Sequence, residues 1–147
     1  MQLKTACYKI QESPPQAVLY VATGGHALGM ALAEQLNVPL FSIDVRYPLS
    51  RFMEKFPILA PFCWLIKETL YRFTPPTLTT AASRNSLPAG LTRVILADDR
   101  VSSGRTLKAV LVHLKTTGIE KKHLRVVTWR CGENSRHLVD YVIDKAK

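Results

Sequence analysis

The stretch ILADDRVSSGRTL occupies residues 95–107, and its reading decides the fold. The apolar residues Ile95 to Ala97 continue a run that begins at Thr92, and TRVILA reads as a buried strand. Two adjacent acids, Asp98 and Asp99, end the run. A loop from Asp98 to Arg105 follows, and a helical pattern then runs from about Thr106 to Thr117, stopped by Gly118. The loop SSGRT, Ser102 to Thr106, therefore sits at a helix N-terminus. Its unpaired N–H groups and the positive end of the helix dipole favour a phosphate. Gly104 offers no side chain to obstruct a ligand or to forbid a left-handed turn. Ser102, Ser103 and Thr106 add hydroxyl donors. The GxxxxGK[ST] pattern of a Walker loop is absent. A carboxylate pair repels that phosphate but accepts hydrogen bonds from vicinal hydroxyls. One segment could thus hold a ribose by its diol and by its 5-phosphate; the plainer alternative is a strand–turn–helix with an Asp cap.

Working outward, Ala17 to Ala22 (AVLYVA) is a second apolar run with strand character. TGGH follows, then a helical pattern over ALGMALAEQL that Asn37 and Pro39 end. Pro39 to Val45 (PLFSIDV) reads as the next strand. Strand, loop, helix and strand in this order mark a parallel sheet. LRVVTW (Leu124 to Trp129) and LVDYVID (Leu138 to Asp144) are further strands. The expected architecture is α/β: a twisted, mainly parallel sheet of about five strands flanked by helices, in one domain spanning residues 1–147. An atypical apolar insertion covers about 46–90. Its Phe56 to Ile66 part is too short and too proline-broken to span a membrane. It reads as helical cover for the sheet, with a dimer face or a membrane-surface contact as the sharper alternatives. A short strand near Thr77 to Thr80 is expected within it.

The chain carries 20 Lys and Arg against 11 Asp and Glu, a net charge of +9. Such a field attracts anions: nucleic acid, acidic lipid or a phosphorylated small molecule. The cluster Lys121, Lys122, His123 and Arg125 has no interleaved aromatics and reads as a solvated turn before a strand rather than a nucleic-acid patch. Cys7, Cys63 and Cys131 lack the CxxC spacing of a redox or zinc site, and MQLKTACYKIQESPPQ lacks the apolar core of a secretory leader. A cytoplasmic setting is expected.

The segment Asp98 to Thr106, after its apolar strand, resembles the signature with which type I phosphoribosyltransferases bind 5-phosphoribosyl 1-pyrophosphate (PRPP). In that family the two acids contact the ribose hydroxyls and the small-residue loop wraps the 5-phosphate. The resemblance assigns Asp98 and Asp99 as the catalytic acids and Ser102, Ser103, Gly104, Arg105 and Thr106 as the 5-phosphate site. Ala22-Thr23-Gly24-Gly25 resembles the family's pyrophosphate loop, where two glycines let backbone amides approach an anion. Members often carry a non-proline cis peptide there, and Ala22–Thr23 is the matching bond. Arg or Lys often stands where this chain has Thr23. Arg136 to Asp144 is similar to the end of the xanthine–guanine and hypoxanthine–guanine branch. That likeness makes Tyr141 a base-stacking residue and Val142 a source of backbone groups for the base edge, with Arg130 nearby; Tyr141 also fits a half-buried strand position.

The resemblance implies transfer of a 5-phosphoribosyl group from PRPP, with Mg²⁺ carried on PRPP, to a purine-like base with release of pyrophosphate. It also implies a homo-oligomer, a dimer or tetramer. One departure bears on mechanism: Ser102 stands where purine-salvage members carry an Asp that acts on the base. A non-catalytic PRPP- or nucleotide-binding regulator of the same fold, with a possible nucleic-acid partner, is the alternative.

Overall fold

A computed structural model describes residues 2–46, 77–78, 88 and 90–143. Most of the apolar insertion, including Phe56 to Ile66, lies outside the described residues. The described elements in chain order are α1 (Leu3–Gln11), β1 (Ala17–Val21), α2 (His26–Leu36), β2 (Leu40–Ile43) and β3 (Val45–Arg46). β4 (Thr77–Leu78), β5 (Val94–Val101), α3 (Arg105–Thr116), β6 (Leu124–Cys131) and β7 (Tyr141–Val142) follow. Strands β2, β1, β5, β6 and β7 form one sheet in that order, and every neighbouring pair is parallel. β3 and β4 form a separate antiparallel pair.

Alternation along the strands explains the layering. Ala17, Leu19 and Val21 of β1 and Val94 and Leu96 of β5 face one side, where they pack with Leu107, Val110 and Leu114 of α3. Val18, Ile95 and Ala97 face the other side, against Leu28, Leu32 and Ala33 of α2 and Ala6, Cys7 and Ile10 of α1. Strands buried on both faces read as unbroken apolar runs, as AVLYV and VILA do. The expected α/β architecture is therefore present.

Three differences have physical causes. β5 does not stop at Ala97 but runs through both acids to Val101. The long strand β6 supplies the partner ladder, with Asp98 beside Thr128 and Arg100 beside Arg130, and backbone pairing overrides the loop preference of Asp. The last strand is shorter than 138–144, because Glu133–Leu138 winds into 3₁₀ turns first. Helix α1 was not anticipated; its apolar stripe, Ala6, Cys7 and Ile10, is only three residues wide. Asn37 ends α2 in the left-handed conformation at φ 52°, which a short polar side chain tolerates.

The chain leaves β1 toward β2 in one direction and returns to β5 on the other side of β1. The strand order reverses between β1 and β5, and the crevice beyond the carboxyl ends of those strands is where such sheets bind ligands.

Candidate active site

Two strand–helix junctions meet at that crevice. In the first, residues 22–25 join β1 to α2. The N–H groups of Gly24 and Gly25 donate to the Val21 carbonyl at 3.3 and 2.8 Å, so the loop closes as a tight turn. Those two amides are hydrogen-bonded inside the loop. The Thr23 N–H and the first-turn N–H groups of α2 are the donors it leaves, and α2 has neither a capping side chain nor an acid in its first turn. The Ala22–Thr23 peptide is trans, since the described residues contain no cis peptide bond; the turn closes through Val21 without one. Both glycines are required by close approach. A Cβ on Gly25 would collide with the carbonyl oxygens of Ala97 and Val21, and one on Gly24 with the carboxylate of Asp99. His26 opens α2 with its ring edge-on to Tyr20, centroids 5.0 Å apart.

In the second junction, β5 passes to α3 through Ser102, Ser103 and Gly104. Gly104 adopts φ 71°, the left-handed region, and is the N-terminal boundary residue of α3 with no side-chain cap. The first turn of α3 contains no acid. Ser102 and Ser103 are exposed, and Arg105 and Thr106 are half-buried. These five residues form one uncapped, acid-free helix start beside exposed hydroxyls, an arrangement suited to an anion.

The acids differ from each other. Asp98 is buried at 5% exposure, whereas Asp99 is exposed. Burial pushes the Asp98 carboxyl up to about 7, helped by a side-chain hydrogen bond and by charge repulsion from Asp99. Hydrogen bonds from the backbone N–H groups of Asp99 and Arg100 oppose that rise. Asp98 consequently keeps its proton to a higher pH than an exposed carboxyl does. Asp99, facing Gly24 across the crevice, links the two junctions.

A third segment, not anticipated from the sequence, supports the phosphate loop. Ser135 Oγ donates to the Ser102 carbonyl at 2.8 Å, and Gly132 N–H donates to the Val101 carbonyl at 2.8 Å. A Cβ on Gly104 would collide with the Leu138 side chain and crowd Ser135 Oγ. Ser135 is fully buried. The only sequence signal was Gly132 directly after a strand.

The expected base-binding residues are divided. Val142 lies beside Thr128, which in turn lies beside Asp98, so it shares a row with that acid. Arg130 is exposed near the end of β6. Tyr141 packs on the α1–α2 face of the sheet and lines a cavity at the amino ends of the strands, so the structure does not bring it to the phosphate loops. Among the described residues no group of three His, Cys, Asp or Glu side chains could hold a metal ion. No described helix is long and apolar enough to cross a membrane.

Comparison with known proteins identifies the family and the fold. The family model of the phosphoribosyl transferase domain matches residues 2–144. The chain belongs to the phosphoribosyl transferase domain family. Its structure is similar to the purine phosphoribosyltransferase of Pyrococcus horikoshii, with TM-score 0.68 and 21% identity over 96% of this chain and 77% of that one. The xanthine-guanine-hypoxanthine phosphoribosyltransferase of Helicobacter pylori gives TM-score 0.66 and 15% identity over 98% and 80%. An adenine phosphoribosyltransferase of Giardia lamblia, complexed with 9-deazaadenine, gives 0.64 and 14% over 98% and 77%. At these identities the likeness establishes the fold. No curated protein matches the chain in sequence.

Proposed function

We propose that the protein is a phosphoribosyltransferase that moves 5-phosphoribosyl from PRPP to a purine-like base and releases pyrophosphate. The observation that carries this reading is the convergence of two uncapped helix starts and two adjacent acids at one sheet crevice. The amides and hydroxyls of residues 102–106 hold the 5-phosphate. Asp98 and Asp99 accept hydrogen bonds from the ribose hydroxyls and stabilise positive character as it develops on the ribose. The Thr23 N–H and the start of α2 receive the pyrophosphate as it leaves. Mg²⁺ arriving with PRPP would supply charge screening for the leaving group; the exposed Asp99 carboxylate is the residue of this crevice that would face it. Holding both reactants in line contributes a large part of the rate. Val142 and Arg130 are the proposed contacts for the base.

Ser102 favours a second reading. Its exposed hydroxyl cannot move a proton on a base near neutral pH, which suits a PRPP- or nucleotide-binding regulator. One assay separates the two: pyrophosphate release from Mg²⁺ and PRPP, measured across a panel of purine and pyrimidine bases. Release that depends on one base, and that is abolished by Asp98→Asn with Asp99→Asn, supports the enzyme. PRPP binding without release for any base overturns it in favour of the regulator.

A further inference from the structure

The opposite edge of the sheet carries a second feature that the proposed reaction does not use. A cavity of about 370 Å³ lies at the amino ends of the strands, within the size range of small-molecule sites, about 300–1,000 Å³. Lys9 of α1, Arg93 before β5, Arg125 of β6, and Lys122 and His123 of the preceding 3₁₀ turn line it. Glu12 is the one acid in the lining. Lys122 is paired with Glu120 at 2.9 Å. Among the described residues, the side chains of Lys9, Arg93 and Arg125 make no ion pair with an acid. The Tyr141 ring, Ile10 and Pro15 supply an apolar wall.

The anchor of Arg93 is built rather than incidental. Gln16 N–H donates to the Arg93 carbonyl at 2.8 Å, and Gln16 Oε1 accepts from the N–H groups of Arg93 and Thr92 at 3.2 and 2.8 Å. These bonds fix the Arg93 backbone at the strand start, from which its exposed side chain extends. Arg125 is fixed on the neighbouring strand, in register with Ile95. Three cations from α1, β5 and β6 line one cavity, with Glu12 as the single acid in its lining. An excess of positive charge in one concavity attracts an anion. Arg side chains suit phosphate in particular, because the planar guanidinium pairs two oxygens at once.

We propose that this cavity is a second ligand site, which takes a phosphorylated small molecule with a flat apolar body, the class to which nucleotides belong. The phosphate lies on Arg93, Arg125 and Lys9, and the body against Tyr141 and Pro15. The site is separate from the PRPP crevice: from Arg93 to Ser102 the chain runs nine residues of mostly extended strand, about 30 Å at ~3.3 Å each. It therefore does not depend on the reading of that crevice, and each can fail alone.

The test is an NMR titration of the isotope-labelled full chain with guanosine 5′-monophosphate, then with inorganic pyrophosphate as the bodiless probe. The expected result is saturable shifts at the amides of Lys9, Arg93 and Arg125, with tighter binding for the nucleotide. Arg93→Gln with Arg125→Gln weakens it at least tenfold, and Ser103→Glu, which places a negative charge in the distant phosphate loop, leaves it unchanged. Lys9→Gln, on the surface of α1, weakens it less and guards against misfolding of the double variant. The proposal is overturned if those amides stay still while residues 102–106 shift. It is also overturned if binding survives the double variant, or if pyrophosphate binds as tightly as the nucleotide.

Discussion

The two strand–helix junctions of the crevice share a plan and differ in what they give to a ligand. Both leave the carboxyl end of a buried parallel strand and open a helix with no capping side chain. Yet the β1–α2 loop folds its glycine amides onto Val21, while the β5–α3 loop turns through a left-handed Gly104 and exposes Ser102 and Ser103. Glycine serves close packing in the first, against Ala97 and Asp99. In the second it serves conformation as well, at φ 71°, beside its own close contacts with Leu138 and Ser135. The same residue type therefore closes a tight turn in one loop and makes a left-handed helix entry in the other, and the backbone conformation tells them apart.

The sharpest way to break this comparison is Gly104→Val. A β-branched residue at φ 71° is strained, and its Cβ would meet Leu138 and Ser135. The expected loss is about 3 kcal/mol of stability by urea unfolding, together with loss of phosphate binding. A change under about 0.5 kcal/mol would show that the loop does not need its left-handed turn.

The pH profile comes next. An unfolded Asp ionises near pH 4, but folded Asp98 does so only at about 7. Between those values the folded state binds the extra proton, so stability falls as pH rises through the window and levels off above it. Asp98→Asn should flatten that decline by an amount on the order of 1 kcal/mol or more between pH 5 and 8. Parallel profiles for wild type and variant would contradict the burial of this acid.

Gly24→Ala sharpens the comparison from the other loop. Its new methyl would press on the Asp99 carboxylate, an exposed side chain that can swing aside. Stability should change by less than about 1 kcal/mol, while PRPP affinity falls roughly tenfold because Asp99 is displaced, about 1.4 kcal/mol. Gly25→Ala meets backbone instead and should lose about 1–3 kcal/mol of stability. Ser135→Ala is the mildest: it removes one hydrogen bond to the Ser102 carbonyl. It should lower stability by about 1 kcal/mol and weaken PRPP binding only a few-fold.

Much of this was legible in the sequence, for reasons that differ by region. The apolar runs around Leu19 and Leu96 and the helical spacing through Leu107, Val110 and Leu114 carry the fold directly, because burial on both faces leaves no alternative pattern. The loop SSGRT was legible because glycine and hydroxyls at a helix start have few other uses. The extension of β5 through Asp98 and Asp99 was not, because it depends on a ladder from β6, which local propensity does not encode. Ser135 and Gly132 were missed for the same reason: their partners lie more than 30 residues away in the chain. Tyr141 illustrates the reverse. Its local context matched a base-stacking segment, but its register beside Val127 fixes its ring on the α1–α2 face.

The central claim is that Asp98, Asp99 and the loop after them form a ribose-phosphate site. Calorimetric titration of PRPP with Mg²⁺ into wild type and into Asp98→Asn/Asp99→Asn tests it most directly. Saturable binding by wild type, weakened at least a hundredfold in the double variant, is the predicted result, since each lost hydrogen bond to a charged group is worth roughly 1.5–3 kcal/mol. Absence of binding by folded wild type, or equal affinity in both proteins, would contradict it.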